Sequence, residues 1–186
     1  MEYFDVCDGR GRPTGEVVAR DVAHRDGVCH RTAHIWVVRQ GEKGTEVLLQ
    51  KRSADKDSFP GQYDTSSAGH VQAGDRPLPS ALRELEEELG IHAAPEELDY
   101  AGTFHISYEL IFHGRPFRDN EVAFVYVYRG AVDASSLQLQ ASEVERVDWF
   151  DLQEVWRGCQ IPRDPRFCVP AEGLETLMAY LEGCGR

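Results

Sequence analysis

Three glutamates, Glu84, Glu87 and Glu88, lie in the run LRELEEELG, residues 82–90, among residues that favour helix. At about 100° per residue from Glu84, Glu87 falls near 300° and Glu88 near 40°, so all three carboxylates share one helical face. Leu82, Leu85 and Leu89 fall between about 100° and 160°, on the side that would be buried. Like charges spaced i,i+4 cost a helix a few tenths of a kcal/mol per exposed pair, so their clustering needs a reason. One reason is a solvated acidic face. The other is a hard divalent cation, Mg²⁺ or Mn²⁺, which takes carboxylate oxygens together with those of a phosphorylated substrate. Helical spacing alone does not choose between them.

A wider pattern surrounds the glutamates. The segment GHVQAGDRPLPSALRELEEELGI, residues 69–91, resembles the Nudix box, G-x5-E-x7-R-E-U-x-E-E-x-G-U with U a bulky aliphatic residue. Gly69, Arg83, Glu84, Leu85, Glu87, Glu88, Gly90 and Ile91 fall in register, while Asp75 replaces the first glutamate. The resemblance implies that Glu84, Glu87 and Glu88 hold Mg²⁺ or Mn²⁺ and that Arg83 orients Glu84 through a charge-assisted bond. It also implies that Gly69 allows close backbone packing at the site. Such a cation would neutralise diphosphate oxygens and promote attack by water. The general base stays open: one of these glutamates, or an acid from elsewhere in the chain.

The likeness extends beyond the box. DGRGRPTGEVVARDVAHRDGVCHRTAHIWVV and VLLQKRSADKDSFPGQYDTSSAGHV resemble the Nudix branch related to isopentenyl-diphosphate isomerase, over roughly residues 3–130. In that branch two early histidines, the histidine after the box glycine and two later acids bind a metal. His24, His30, His70, Asp119 and Glu121 occupy comparable places, and Glu121 is the candidate for an acid reaching the site from outside the box. Asp119 and Glu121 alternate along a predicted strand and so face the same way. His34, His92, His105 and His113 are read as surface or hydrogen-bonded residues. The isomerase needs a cysteine just before the glycine-histidine pair, but here the run is SSAGH. With a nearly complete set of box carboxylates, the reading is hydrolysis of a small diphosphate, a nucleoside diphosphate or a derivative of one. An isomerase and a noncatalytic nucleotide-binding module are the alternatives. Lys51 and Arg52 are candidates for phosphate contacts, with Gly69 and His70 beside them. Phe59, Tyr63 and Tyr108 are candidates for stacking a base, and each is equally suited to packing.

The elements that must position these residues alternate between strand and helix signals. Residues 3–7 and 15–20 flank the turn-rich DGRGRPT and predict an N-terminal hairpin. Residues 34–38 and 46–52 read as strands, and 53–65 as a polar loop. The helix is expected to begin near Pro79 and close at Gly90. Two β-rich runs, 100–112 and 120–128, flank the turn HGRPF. ERVDWF predicts another strand, and helices follow at DLQEVWR and after Pro170. These signals predict one mixed α/β domain over residues 1–186, and the resemblance implies an α/β/α sandwich around a mixed sheet.

The net charge of −12 argues against a nucleic-acid polymer or an anionic membrane as partner, but not against a small phosphorylated molecule. Five cysteines without a C-x-x-C pair, and an N-terminus without an apolar signal core, predict a reducing cytoplasm. A homodimer stays open.

Overall fold

The computed structural model describes residues 2–184. The chain opens with the hairpin of β1 (Tyr3–Cys7) and β2 (Pro13–Ala19), which forms its own two-stranded antiparallel sheet. α1 (Arg20–Asp26) leads into β3 (His30–Gln40). Next come β4 (Thr45–Arg52), β5 (Tyr63–Asp64) and β6 (Ser67–His70), then α2 (Pro77–Leu89). β7 (Leu98–Phe112) and β8 (Arg115–Tyr128) make a long hairpin, and β9 (Val144–Asp151), α3 (Leu152–Gly158) and α4 (Ala171–Cys184) complete the fold.

The seven-stranded sheet is mixed, with order β5-β4-β3-β8-β7 and with β6 and β9 added to β3 and β4. β8 runs parallel to β3 along one edge. The other edge of β3 is shared: β6 pairs with residues 32–35 and β4 with residues 37–40. β6 thereby carries Gly69 and His70 to the end of the sheet, opposite Thr32 and Ala33.

β3 is buried along most of its length because both of its faces are covered. Trp36 and Val38 pack with Val155 of α3 and with Leu174 and Leu177 of α4. Ala33, Ile35 and Val37 pack with Ala81, Leu85 and Leu89 of α2. This is an α/β/α sandwich. Leu85 and Leu89 are fully buried, each contributing about 1.5–3 kcal/mol of apolar transfer. That leucine stripe fixes the rotation of α2 and therefore where its glutamates point.

α2 begins at Pro77, two residues before the expected start, since two prolines fit within a first helical turn that needs no backbone donors. Gly90 closes it at φ 69°, a left-handed conformation that suits glycine. β8 takes in residues 115–117, so the turn between the long strands is confined to His113 and Gly114.

Candidate active site

β6, α2, α1 and the long hairpin enclose a cavity of about 670 Å³. Glu84, Glu87 and Glu88 line it from α2, and Glu121 and Asp119 line it from β8. The three α2 carboxylates have different surroundings. Glu88 is 4% exposed and accepts hydrogen bonds from Gln50 Nε2 at 3.1 Å and from the Ala68 amide at 3.2 Å. Burial pushes its carboxyl up to about 7. Glu84 is also raised, by burial, although Arg83 opposes the rise. Glu87 is exposed to the cavity.

Arg83 ties the end of this helix to the loop before it. Its guanidinium donates to Glu84 Oε1 at 3.1 Å, to Asp75 Oδ2 at 3.1 Å and to the His70 carbonyl at 3.4 Å. The shorter Asp75 thus reaches the arginine. Gly69 is required by contact: a Cβ there would lie 2.2 Å from Glu84 Cδ. The carboxylate is the movable end of a side chain, so an alanine would displace it without unfolding the sheet. Gly69→Ala is expected to keep its melting temperature within a few degrees and to lose about 10- to 100-fold in turnover, the usual cost of misplacing a reacting group by an ångström or so. Unchanged turnover would show that the position of Glu84 is immaterial.

A second group of ligand-type side chains gathers at the same cavity, with His24, His70 and Glu121 in its lining and His30 buried behind them. One ligand atom from each of His24, His30, His70 and Glu121 falls within 4.8 Å of all the others. α1 supplies His24, β3 supplies His30, β6 supplies His70 and β8 supplies Glu121. His30 Nδ1 contacts the Val28 carbonyl at 2.8 Å and His24 Nδ1 the Arg20 carbonyl at 3.0 Å, which leaves both Nε2 atoms for the cluster. The Phe4 ring stacks on both His30 and His70, with centroids at 4.9 and 4.5 Å and 12° between planes in each case, and the two imidazoles stack on each other at 5.3 Å. His24 stacks on Phe117 at 4.6 Å. The N-terminal hairpin therefore braces the rings.

Several polar atoms in this cluster have no hydrogen bond. His30 Nε2, His70 Nε2 and Asp119 Oδ1 are buried and unsatisfied. The two imidazole nitrogens stand 3.4 and 3.5 Å from Glu121 Oε1, close but short of hydrogen-bond geometry. Orphaned nitrogens converging on one carboxylate are the donor set a divalent cation satisfies, and the residues fit one. Without it, burial would raise Glu121, yet His30 and His70 hold it well below the carboxylate range. Burial would lower His30, but Glu121 raises it. Burial takes His24 down to about 4 and, helped by the Glu121 charge, moves Asp119 upward.

The basic residues divide. Arg52 lines the cavity, anchored by Asp64 at 3.0 Å and by the Ser58 carbonyl at 2.9 Å. Lys51 instead pairs with Glu145 at 2.8 Å and is not part of the lining, because successive strand residues face opposite ways. Phe59 and Tyr108 line the cavity with ring centroids 6.0 Å apart. Tyr63 packs in the core against Phe150 and Phe167 and takes no part in the lining. Sequence reasoning missed Arg20 and Lys56, which also line the cavity and pair with Glu2 and Glu143. The four-residue spacing of Arg20 and His24 was a usable signal that one helix face carries both.

A family profile described as NUDIX domain matches residues 30–168. Nudix hydrolase 3 of Arabidopsis thaliana is 39% identical over 168 residues, 89% of this chain but 21% of that protein, so the chain spans about a fifth of that relative. An uncharacterised Nudix hydrolase of Clostridium acetobutylicum is 35% identical over 84% of this chain and 73% of its own. An isopentenyl-diphosphate Delta-isomerase of Escherichia coli is 28% identical over 84% of this chain and 81% of its own. Among solved structures, a Deinococcus radiodurans protein superposes with a TM-score of 0.68 at 16% identity, covering 96% of this chain and 99% of that one, a likeness of fold.

Proposed function

The chain belongs to the Nudix family, and from that premise we propose that it hydrolyses the diphosphate linkage of a nucleoside diphosphate or a derivative, with Mg²⁺ or Mn²⁺ as cofactor. The observation carrying this reading is the placement of Glu84, Glu87 and Glu88 on one cavity wall with Arg83 locking Glu84. A bound divalent cation supplies charge neutralisation of the diphosphate and polarisation of a water. Glu84, Glu87 and Glu88 would hold it, Arg83 would fix the Glu84 rotamer, and Arg52 would meet phosphate oxygens. Glu121 is the proposed acid from outside the helix, and His24, His30 and His70 with it offer a second cation site. Incubation with Mg²⁺ and a panel of nucleoside diphosphates and their conjugates should release a nucleoside monophosphate from at least one; no release from any would refute the reading.

The histidine cluster and the likeness to an isomerase favour a second reading, isomerisation of isopentenyl diphosphate. Ala68 precedes Gly69, so the cysteine that chemistry needs is missing from its place. Cys168 does line the cavity, but burial holds its thiol well above the usual range and its Sγ is directed at the Tyr63 carbonyl, 3.4 Å away. Incubation with isopentenyl diphosphate should yield no rearranged alkene; its formation without phosphate release would favour the isomerase.

The raised carboxyls give cation binding a pH dependence. Glu88 has a folded pKa of about 7, above the ordinary carboxylate value, so below that pH the folded chain holds a proton the cation must displace. Protonation of Glu88 stabilises the metal-free protein at low pH, and that contribution is lost as pH rises through about 7. Asp119, also raised, acts in the same direction. The Tm gain from saturating Mg²⁺ should therefore be larger at pH 8.5 than at pH 6, with affinity rising about tenfold per pH unit while one proton is released. An equal gain at both pH values, read by differential scanning calorimetry, would contradict this.

A further inference from the structure

His24, His34 and His70 line the cavity, and His34 alone of the three stands outside the metal-type cluster. It lies on β3 paired with Ala68 on one side and Val125 on the other, and it shares a face with Thr32 and Trp36. The residue is 8% exposed, and its ring meets Phe104 edge-on at 5.3 Å. Among the described residues, neither ring nitrogen has a hydrogen-bond partner. The charged groups around it are Glu121, Asp64 and Arg52. Burial holds its pKa below the ordinary histidine value, so the ring is neutral and offers one donor and one acceptor.

The ring nitrogens of His34 are not sealed in the core but open to the cavity, where only solvent or a bound molecule can partner them. His34 faces the cavity rather than the closed core, so the partner it lacks belongs to whatever fills that cavity. Beyond Glu121 the lining includes Arg52, Asp64, Tyr108 and Arg163, a polar wall. Arg163 has no ion pair among the described residues. A hydrocarbon group lodged there would strand the imidazole; a hydroxyl would donate to one ring nitrogen or accept from the other. We propose that His34 is a specificity-determining residue that hydrogen-bonds a hydroxyl of the group attached to the diphosphate, selecting a sugar-like substituent over a hydrocarbon chain. It deepens the hydrolase reading and rests on it only for the identity of the diphosphate end.

Binding of non-hydrolysable probes separates the two claims. The probes are α,β-methylene-ADP, methylenediphosphonate and an isopentenyl methylenebisphosphonate, each titrated in Mg²⁺ against the full chain. His34→Leu should weaken the ADP analogue by about tenfold or more, because a site that hydrogen-bonds a hydroxyl depends strongly on that bond. It should leave methylenediphosphonate, which lacks the attached group, within about twofold, and keep or improve the isopentenyl probe, since a leucine leaves no polar group stranded against the hydrocarbon. His34→Gln, which retains a donor and an acceptor, should bind the ADP analogue within about threefold of wild type. A leucine variant that binds the ADP analogue as wild type does, or that loses all three probes equally, overturns the proposal. So does a wild-type chain that binds none of them. Turnover of the nucleotide panel reports separately: hydrolysis with an indifferent leucine variant sinks only the role of His34, and the predicted probe pattern without hydrolysis sinks only the hydrolase reading.

Discussion

Glu87→Gln should lower kcat in saturating Mg²⁺ by about three orders of magnitude, roughly 4 kcal/mol of barrier, while Tm stays within a degree or two. The separation between the two readouts follows from where Glu87 sits. It is exposed on the cavity side of α2, and among the described residues it makes no hydrogen bond or ion pair. Removing its charge therefore takes nothing from the fold, and relieves the mutual repulsion of the helix face by a few tenths of a kcal/mol. Glu88 is a poorer test. Its carboxylate accepts from Gln50 and from the Ala68 amide, so an amide there alters packing and polar satisfaction along with any ligand role. Steady-state rates on the nucleotide panel, a Mg²⁺ titration and a thermal melt settle the matter together. Wild-type kcat in the glutamine variant would remove Glu87 from the proposed ligand set and leave it a solvated surface acid.

The carboxylate helix was legible in the sequence because two independent constraints coincide there. A leucine stripe fixes which side is buried, and the glutamates occupy the remainder, so the direction of the side chains follows from local periodicity. The histidine cluster was legible only through resemblance. His24, His30, His70 and Glu121 come from four different elements, and no local period joins them. α1 escaped notice: its seven residues, RDVAHRD, have no capping side chain and fall below the length at which a helix is stable alone. Long-range contacts hold it, through Arg118 to the Arg25 carbonyl and Asn120 to the Gly27 carbonyl. The same limit explains Lys51 and Arg52. Adjacent residues of a strand point apart, and only the sheet decides which faces the cavity, so a basic pair in sequence became one cavity residue and one surface ion pair. The sequence reads His34 as a surface or hydrogen-bonded residue; the mixed sheet instead buries it at the cavity wall without a hydrogen-bond partner among the described residues.

Glu121→Gln is the second variant with a large expected effect. The side chain accepts from Thr32 Oγ1 at 3.1 Å and stands 3.4 Å from His30 Nε2 and 3.5 Å from His70 Nε2. Glutamine preserves its volume and an acceptor for Thr32, so what is lost is the negative charge. Divalent-cation affinity at the histidine cluster should fall about 100-fold, measured by Mn²⁺ titration, and turnover with it if that cation assists the reaction. The metal-free protein supplies a readout that needs no cation. In wild type, Glu121 is depressed below 4.5 and His30 raised above 6.5. The depressed acid contributes stability that is present above its unfolded pKa and lost as pH falls; the raised histidine contributes stability present below its unfolded pKa and lost as pH rises. Both contributions are complete only between those two values, with Glu121 ionised and His30 protonated. The stability difference between wild type and Glu121→Gln should therefore peak near pH 5.5 at about 3 kcal/mol, the usual cost of removing one partner from a buried pair, and shrink on either side. A difference that stays flat from pH 4 to pH 9 would mean that the charge of Glu121 does not hold the His30 proton, and that the two groups lie side by side without forming a coupled site.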